Sequence, residues 1–391
     1  MNDEYIYLDY AANTPVDKQV LDVFNDTTLK YYANPNSTHK LGRIVKKEIE
    51  DITCSIIDKL KRNTNIDEDT TVIYTSGATE SNNLAIKGVA AAYKENGKHI
   101  ISTFFEHSSV SSPLTYLKEI GYEIDILNIT SNGQVDIEHL KSLMREDTIL
   151  VSICNVDSEL GNIQNIEEIS KIVKEYSNCL LHVDATQAIG KINVNLKNVD
   201  LISFAPHKFY GLNGFGALVK KEDVVLEPLI NGGSSTTIYR SGTPIVGQVA
   251  ALNKALELAF TNFSKRYEYV KKINSKLREN LLKYQDVKIN TLSEENPYIL
   301  NLSVIGVKAV EFKEKLEEYD VCISIKSACT VTITPSRIVM AMTHDKKRAI
   351  SSWRISLSHL IKEEQIDNFL EIFDECYNYF KGEQKCKDMK K

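Results

Sequence analysis

Short apolar runs alternate with helical patterns through the first half of the chain, and this alternation constrains the fold more than any other feature. The runs span residues 71–75, 100–105, 149–153, 180–183, 201–204 and 217–219. Repeated strand–helix units predict an α/β fold with a mostly parallel sheet covered by helices on both faces. Ligands of such sheets bind at the carboxyl ends of the strands, so the residues that follow each run are candidates for a site.

The second half of the chain follows a different pattern. Long helical patterns cover 245–260 and 264–284, strands are predicted at 298–304, 321–325 and 349–357, and helices at 309–318 and 363–380. A chain of 391 residues exceeds one ordinary core. We therefore expect a large domain of residues 15–260 and a small α+β domain of residues 1–14 and 261–391. The last eleven residues, with five lysines, predict a frayed, solvated end.

Charge and cysteine content exclude several classes of protein. A formal net charge of −6 gives no electrostatic basis for binding a nucleic acid backbone. The seven cysteines are odd in number and show no C-x-x-C spacing, which argues against a disulfide framework or a zinc site and indicates reduced thiols. No signal peptide or run of about 18 apolar residues is present. We expect a cytoplasmic protein with no membrane partner, no direct nucleic acid ligand and no bound metal.

The segment Thr75-Ser76-Gly77-Ala78-Thr79-Glu80-Ser81-Asn82 follows a predicted strand and precedes a helical pattern. Small and hydroxyl side chains at a helix N-terminus leave backbone N–H groups and the positive end of the dipole available for a phosphate. The same segment could be an ordinary helix cap, and taken alone it favours neither interpretation.

Two further residues stand at predicted strand ends. Asp184 ends the run before Ala185-Thr186-Gln187, where an acid can pair with a pyridinium nitrogen, although a lone Asp is more often a cap. Lys208 follows the next run and precedes a glycine-rich turn, where an amino group beside a cofactor pocket can bond a carbonyl. An isolated lysine usually lies on the surface, so the argument depends on the spacing of all three elements.

That spacing resembles the fold-type-I enzymes that use pyridoxal 5′-phosphate (PLP). The resemblance narrows because six further motifs occur in order: Tyr7-Leu8-Asp9-Tyr10-Ala11-Ala12-Asn13-Thr14-Pro15, Asn34-Pro35-Asn36-Ser37, Glu106-His107, Asp184-Ala185-Thr186-Gln187, Arg240-Ser241-Gly242-Thr243 and Ser327-Ala328-Cys329-Thr330. Across roughly residues 5–375 the chain is similar to the class V aminotransferase superfamily. Within it, the chain resembles the NifS/IscS-like cysteine desulfurases.

The resemblance implies a role for each matching residue. Lys208 would bind the cofactor covalently and later act as acid and base on the substrate. Asp184 would pair with the ring nitrogen, Gln187 would contact the ring's phenolic oxygen, and His107 would stack on the ring. The resemblance also implies that Ala78, Thr79 and His207 bind the phosphate, together with Thr243 from a second subunit. Ser158 is a further expected cofactor contact. A homodimer is therefore expected.

The substrate implied by the resemblance is L-cysteine. Arg354 would pair with its carboxylate, a task suited to a planar guanidinium, although a solvated strand arginine is the alternative interpretation. Asn34 is a further expected substrate contact. Cys329 would attack the substrate sulfur as a thiolate, which leaves a persulfide on the enzyme and releases alanine. The final acceptor would be an iron–sulfur scaffold protein or a tRNA-thiolation enzyme.

The chain departs from the family pattern in four places. Ser158 stands where the family usually has an asparagine, and Ala205 stands where a serine is expected to bind the phosphate. Residues 235–239 replace the usual H/Q-E-R-G, and the cysteine loop is one residue shorter, with Lys326 for the common glycine.

Two alternatives to a desulfurase therefore stay open. One is another PLP-dependent reaction, such as selenocysteine lysis, β-elimination or amino transfer. The other is a regulatory or assembly protein that binds the cofactor weakly.

Overall fold

A seven-stranded sheet forms the centre of the larger part of the chain. The computed structural model describes residues 5–325 and 334–388, with side chains up to residue 382. The strands, in chain order, are β1 Ile6–Tyr7, β2 Thr70–Thr75, β3 His99–Ser102, β4 Glu123–Ile126, β5 Thr148–Cys154, β6 Leu180–Asp184, β7 Leu201–Phe204, β8 Gly216–Lys221, β9 Val287–Ile289, β10 Ile299–Val304, β11 Val321–Cys322 and β12 Ser352–Ser356.

The helices lie between these strands. They are α1 Lys18–Lys30, α2 Lys40–Thr64, α3 Ala78–Ala92, α4 Ser108–Glu119, α5 Ile137–Leu143, α6 Ile166–Val173, α7 Val246–Thr261, α8 Phe263–Leu281, α9 Ala309–Glu317, α10 Arg337–Thr343, α11 Lys346–Ile350 and α12 Glu363–Asp388. No helix in the described part of the chain has both the length and the apolar character needed to cross a bilayer.

The large sheet has the order β2-β8-β7-β6-β5-β3-β4 and is parallel except at β8, which runs antiparallel to both of its neighbours. This confirms the predicted α/β fold with a mostly parallel sheet. Its two faces follow from the two-residue period of a strand. Val72 and Ile101 pack in one apolar cluster, whereas Ile73 and Ile100 pack in the cluster on the opposite side.

Two smaller sheets complete the structure. An antiparallel sheet has the order β12-β10-β9, and β1 pairs in parallel with β11. The first strand of the chain therefore lies among elements of its C-terminal third. The division into a large domain of residues 15–260 and a small domain of residues 1–14 and 261–391 stays a prediction.

Several predicted boundaries are wrong. The strand predicted at 100–105 ends at Ser102, and the helical pattern predicted at 264–284 ends at Leu281. The strand predicted at 349–357 begins only at Ser352, because Asp345 accepts hydrogen bonds from the backbone N–H groups of Lys347 and Arg348 and so starts α11. The strand predicted at 321–325 has two residues. Residues 381–388, predicted to be frayed, are helical, since α12 continues to Asp388.

Candidate active site

A cavity of about 390 Å³ opens at the carboxyl ends of the parallel strands. Its walls come from the N-terminal segment, from the loops after β2, β3, β5, β6 and β7, and from β12. Nine of the site residues predicted from sequence line it: Ala78, Thr79, His107, Ser158, Asp184, Gln187, His207, Lys208 and Arg354.

The loop between β2 and α3 forms one end of the cavity. Helix α3 begins after Gly77 with no side chain capping its N-terminus, so its first backbone amides are available to an anion. The loop is held close to β8, because a Cβ atom at Gly216 would lie 2.5 Å from the carbonyl carbon of Gly77. A phosphate group fits an uncapped, 15-residue helix of this kind.

Asp184 is the last residue of β6 and is 7% exposed. One carboxylate oxygen accepts a hydrogen bond from the backbone N–H of Thr186 at 3.0 Å, and the other accepts one from Asn82 Nδ2 at 2.8 Å. Both oxygens are therefore held in a fixed orientation by hydrogen-bond donors. This is the environment that a protonated ring nitrogen requires of its partner.

Lys208 ends a short 3₁₀ helix, Pro206–Lys208, that follows β7. Its Nζ atom donates hydrogen bonds to the carbonyl oxygens of Ala11 at 2.9 Å and Ala12 at 2.7 Å. The preceding His207 has its pKa lowered to about 4, chiefly by burial and secondarily by Lys208 and Lys191. A neutral imidazole can donate one hydrogen bond to a phosphate oxygen without adding a charge.

Gln187 has both ends of its amide engaged. Nε2 donates to Ala11 O at 2.9 Å, and Oε1 accepts from Nζ of the buried Lys191 at 2.6 Å. Burial, Lys208 and Arg354 hold the pKa of Lys191 well below its ordinary range. The lysine therefore fixes the direction of the Gln187 amide.

Arg354 projects from β12 and is 1% exposed. Its Nη2 atom lies 2.6 Å from Asp9 Oδ1, and Nη1 donates to the carbonyl oxygen of Ser158. Nε has no partner among the described residues. The alternative of a solvated strand arginine is therefore wrong.

Comparison with known proteins identifies the family. The model of the family described as aminotransferase class-V matches residues 6–369.

The chain belongs to the aminotransferase class-V family.

The relatives of this chain include cysteine desulfurases and NifS-like proteins. The chain is 37% identical over 374 residues to the cysteine desulfurase IscS of Dictyoglomus turgidum, which covers 94% of this chain and 93% of that protein. A solved NifS-like protein superposes with a TM-score of 0.86 at 32% identity, covering 96% of this chain and all of the other. A structure described as SspA in complex with cysteine gives a TM-score of 0.76 at 29% identity over 90% and 98% of the two chains.

Class-V enzymes of this kind depend on PLP, and the cavity fits that group. The uncapped N-terminus of α3 suits its phosphate, Asp184 suits its ring nitrogen, and Lys208 lies in the same cavity to bond its aldehyde. One position does not contribute: Ala205 is fully buried and has no hydroxyl to offer a phosphate.

Two predicted site residues, Asn34 and Thr243, do not line the cavity, and a third cannot be placed relative to it. Asn34 lies in the segment between α1 and α2, where its side chain caps the local turn by accepting from Asn36 N at 2.9 Å. Thr243 is exposed on the loop before α7. Cys329 lies outside the described residues.

Four residues of the site were not assigned a role from sequence. Asp9 and Asn82 belong to motifs that were recognised in the sequence. Their hydrogen-bond partners, Arg354 and Asp184, are 345 and 102 residues away along the chain. Ser109 and Lys191 follow such motifs and carried no signal of their own. Among residues 5–325 and 334–388, no group of three His, Cys, Asp or Glu side chains is arranged to hold a metal ion.

Proposed function

We propose that this chain is a PLP-dependent cysteine desulfurase, which converts L-cysteine to L-alanine and carries the sulfur away on Cys329. The observation that carries the proposal is one cavity that combines an uncapped helix N-terminus, Asp184, Lys208 and Arg354. The relatives matched over more than nine-tenths of the chain are named cysteine desulfurases, which favours this reaction over others of the superfamily.

Arg354 is the proposed binding group for the carboxylate of the amino acid. Within the protein, Asp9 balances its charge at 2.6 Å, while Nε is left without a partner on the described residues. A substrate carboxylate can bind that nitrogen and share the guanidinium with Asp9. Because the arginine is buried, this pairing is little weakened by solvent.

When bound, PLP withdraws electrons from the substrate's Cα and so labilises the bonds next to it. Lys208 is placed to move the proton at Cα, since its Nζ is held at the cavity wall by Ala11 and Ala12. Asp184 keeps the ring nitrogen protonated. His107 and Gln187 complete the walls around the ring.

Cys329 is proposed as the first sulfur acceptor. Its thiolate attacks the substrate sulfur, the carbon–sulfur bond breaks, and the carbon fragment takes up protons to leave as alanine. The products are a persulfide on Cys329 and one alanine for each cysteine consumed. A second protein, an iron–sulfur scaffold or a tRNA-thiolation enzyme, would then take the sulfur. A reducing cytoplasm suits this chemistry, because the five cysteines of the described residues are free thiols.

We further infer a homodimer formed through an exposed apolar face built by α1, the start of α2 and the loop before α7. These elements and the residues next to them carry seven exposed apolar side chains, Leu21, Leu29, Tyr32, Leu41, Ile44, Ile238 and Ile245, of which Leu29 and Tyr32 are each 79% exposed. Patches of this kind mark protein interfaces. Thr243, exposed on the same loop, would then reach the phosphate site of the partner.

The decisive experiment compares wild type with Cys329→Ser for alanine and sulfide released from L-cysteine in the presence of a reductant. Wild type is expected to release the two in equal amounts, and Cys329→Ser to release neither above background. Cys54→Ser is the matched control, because Cys54 is an exposed free thiol on α2. The proposal would be contradicted if Cys329→Ser were fully active. It would also be contradicted if wild type bound PLP but released neither alanine nor sulfide.

A further inference from the structure

Asn82 is a fully buried residue of α3 that connects two groups of the cofactor cavity. Its Nδ2 atom donates to Asp184 Oδ2 at 2.8 Å and to Ser109 Oγ at 2.8 Å. Both hydrogens of the amide nitrogen are therefore used. The orientation of the amide is fixed, because a carboxylate oxygen can only accept.

Ser109 continues this chain of hydrogen bonds to His107. Because Ser109 Oγ accepts from Asn82, its own hydrogen is available, and His107 Nδ1 lies 2.9 Å away. The backbone N–H of Ser109 donates to the same nitrogen at 3.1 Å. An imidazole nitrogen that accepts hydrogen bonds carries no proton, so the neutral ring has its proton on Nε2.

We propose that Asn82 and Ser109 are positioning residues that jointly orient the Asp184 carboxylate and fix the tautomer of His107. The proposal deepens the proposed function and rests on it, since Asp184 and His107 are expected to contact one cofactor. With Nδ1 engaged inside the protein, the Nε2–H edge of His107 is the one left to serve the cavity as a donor. Burial also lowers the pKa of His107, which favours the neutral ring.

The tautomer is measured on ¹⁵N-labelled protein without cofactor, by long-range proton–nitrogen NMR at pH 7.5, with His107→Gln used to assign the signal. Wild type is expected to show one neutral form with the proton on Nε2. Ser109→Ala removes the shorter of the two bonds to Nδ1, and should raise the population protonated at Nδ1 about threefold to tenfold. Ser112→Ala, an exposed serine of the same helix, should leave the wild-type spectrum unchanged.

Cofactor affinity gives an independent measurement, taken from the absorbance of bound PLP. Asn82→Ala is expected to weaken binding about tenfold, because Asp184 loses a donor to its charged oxygen. Asn83→Ala is the control, since that neighbour is only partly buried and its Nδ2 donates to Thr79 O at 3.0 Å within α3. The double variant Asn82→Ala/Ser109→Ala should lose less than the product of the two single losses, as expected of residues in one network.

A wild-type His107 protonated on Nδ1 or on both nitrogens would overturn the proposal. The proposal would also be overturned if Asn82→Ala and Ser109→Ala gave the same His107 tautomer populations and the same PLP affinity as their control variants. A wild type that shows the expected tautomer but binds no PLP would remove the proposed function while leaving the hydrogen-bond chain established, so the two failures are distinguishable.

Discussion

At the scale of single residues, Arg354 has the most direct consequence for the substrate. Arg354→Lys keeps the positive charge near Asp9 but loses the planar set of donors. We expect KM for L-cysteine to rise about tenfold to 150-fold, with a smaller change in kcat, because a charge-assisted hydrogen bond contributes about 1.5–3 kcal/mol. Steady-state kinetics of alanine formation measure both parameters.

Arg62→Lys, at an exposed arginine on α2, is the control for this substitution and should leave KM unchanged. An unchanged KM in Arg354→Lys as well would mean that the carboxylate binds elsewhere.

Glu106 is a single residue that makes the stability of the folded protein depend on pH. Its Oε1 atom accepts from Thr103 Oγ1 at 2.7 Å and from Cys154 N at 2.9 Å, while Oε2 is buried without a partner on the described residues. Burial raises the pKa of the carboxyl to about 8. In the unfolded chain the same carboxyl has a pKa of about 4.3. Its contribution to the free energy of unfolding is therefore complete below about pH 4.3 and is lost as the pH rises towards 8.

Glu106→Gln keeps both hydrogen bonds to Oε1 and cannot ionise. Its free energy of unfolding, relative to wild type, should therefore increase by about 1.4 kcal/mol per pH unit between pH 5 and pH 8. Urea titrations of the cofactor-free proteins at pH 5.5 and 7.5 test this. The exposed Glu119→Gln should differ from wild type by the same amount at both values; a similarly constant difference for Glu106→Gln would show that the carboxyl ionises normally.

Single residues also show what sequence can predict of the site. Asp184 and Lys208 could be found because a strand end is visible as a change in apolar pattern, and strand ends share one edge of a parallel sheet. Asn82 and Ser109 could not, because their bond joins α3 to α4, and the pairing of two buried side chains depends on how those helices pack.

At the scale of elements, the close approach of β8 to the loop before α3 is the most sensitive contact of the phosphate site. A Cβ atom at position 216 would lie 2.5 Å and 2.6 Å from two backbone atoms of Gly77. Gly216→Ala should therefore displace the loop, cost about 1–3 kcal/mol of stability and weaken PLP binding about tenfold. Thermal unfolding and PLP titration measure the two effects.

Gly233→Ala is the matched control, because an added Cβ there meets nothing within 4 Å. If Gly216→Ala unfolds and binds PLP like this control, the loop tolerates displacement and the contact does not shape the phosphate site.

Elements differ in how well the sequence predicts them. Strands β5, β6 and β7 are buried along nearly their whole length and rich in apolar residues, and they were predicted within one residue. Strand β4, Glu-Ile-Asp-Ile at the edge of the sheet, was missed because an exposed edge needs no apolar run. The start of β12 was misplaced because a helix cap interrupts an otherwise strand-like sequence.

At the scale of the whole molecule, the exposed apolar face predicts the oligomeric state. The double variant Leu29→Asp/Tyr32→Asp places two charges on that face and should reduce the mass in solution from twice the 44.2 kDa chain mass to one chain. Sedimentation equilibrium measures it. PLP binding should weaken as well, since Thr243 would be lost from the partner's site.

Leu282→Asp, at a leucine that is 59% exposed just after α8 and does not belong to that face, should remain dimeric. A wild type that sediments as a single chain at micromolar concentration would contradict the dimer.

The pairing of β1 with β11, and of Asp9 with Arg354, has a consequence for how the protein is made. Strand β1 and Asp9 are synthesised first, but they can form these contacts only after β11 and Arg354 have been synthesised. Strands β2 to β8 can pair much earlier. A nascent chain that stops short of residue 354 contains strands β2 to β8 but lacks Arg354, the residue proposed to bind the substrate carboxylate. Competence to bind substrate thus arises only when synthesis is almost finished, so an incomplete chain cannot consume L-cysteine.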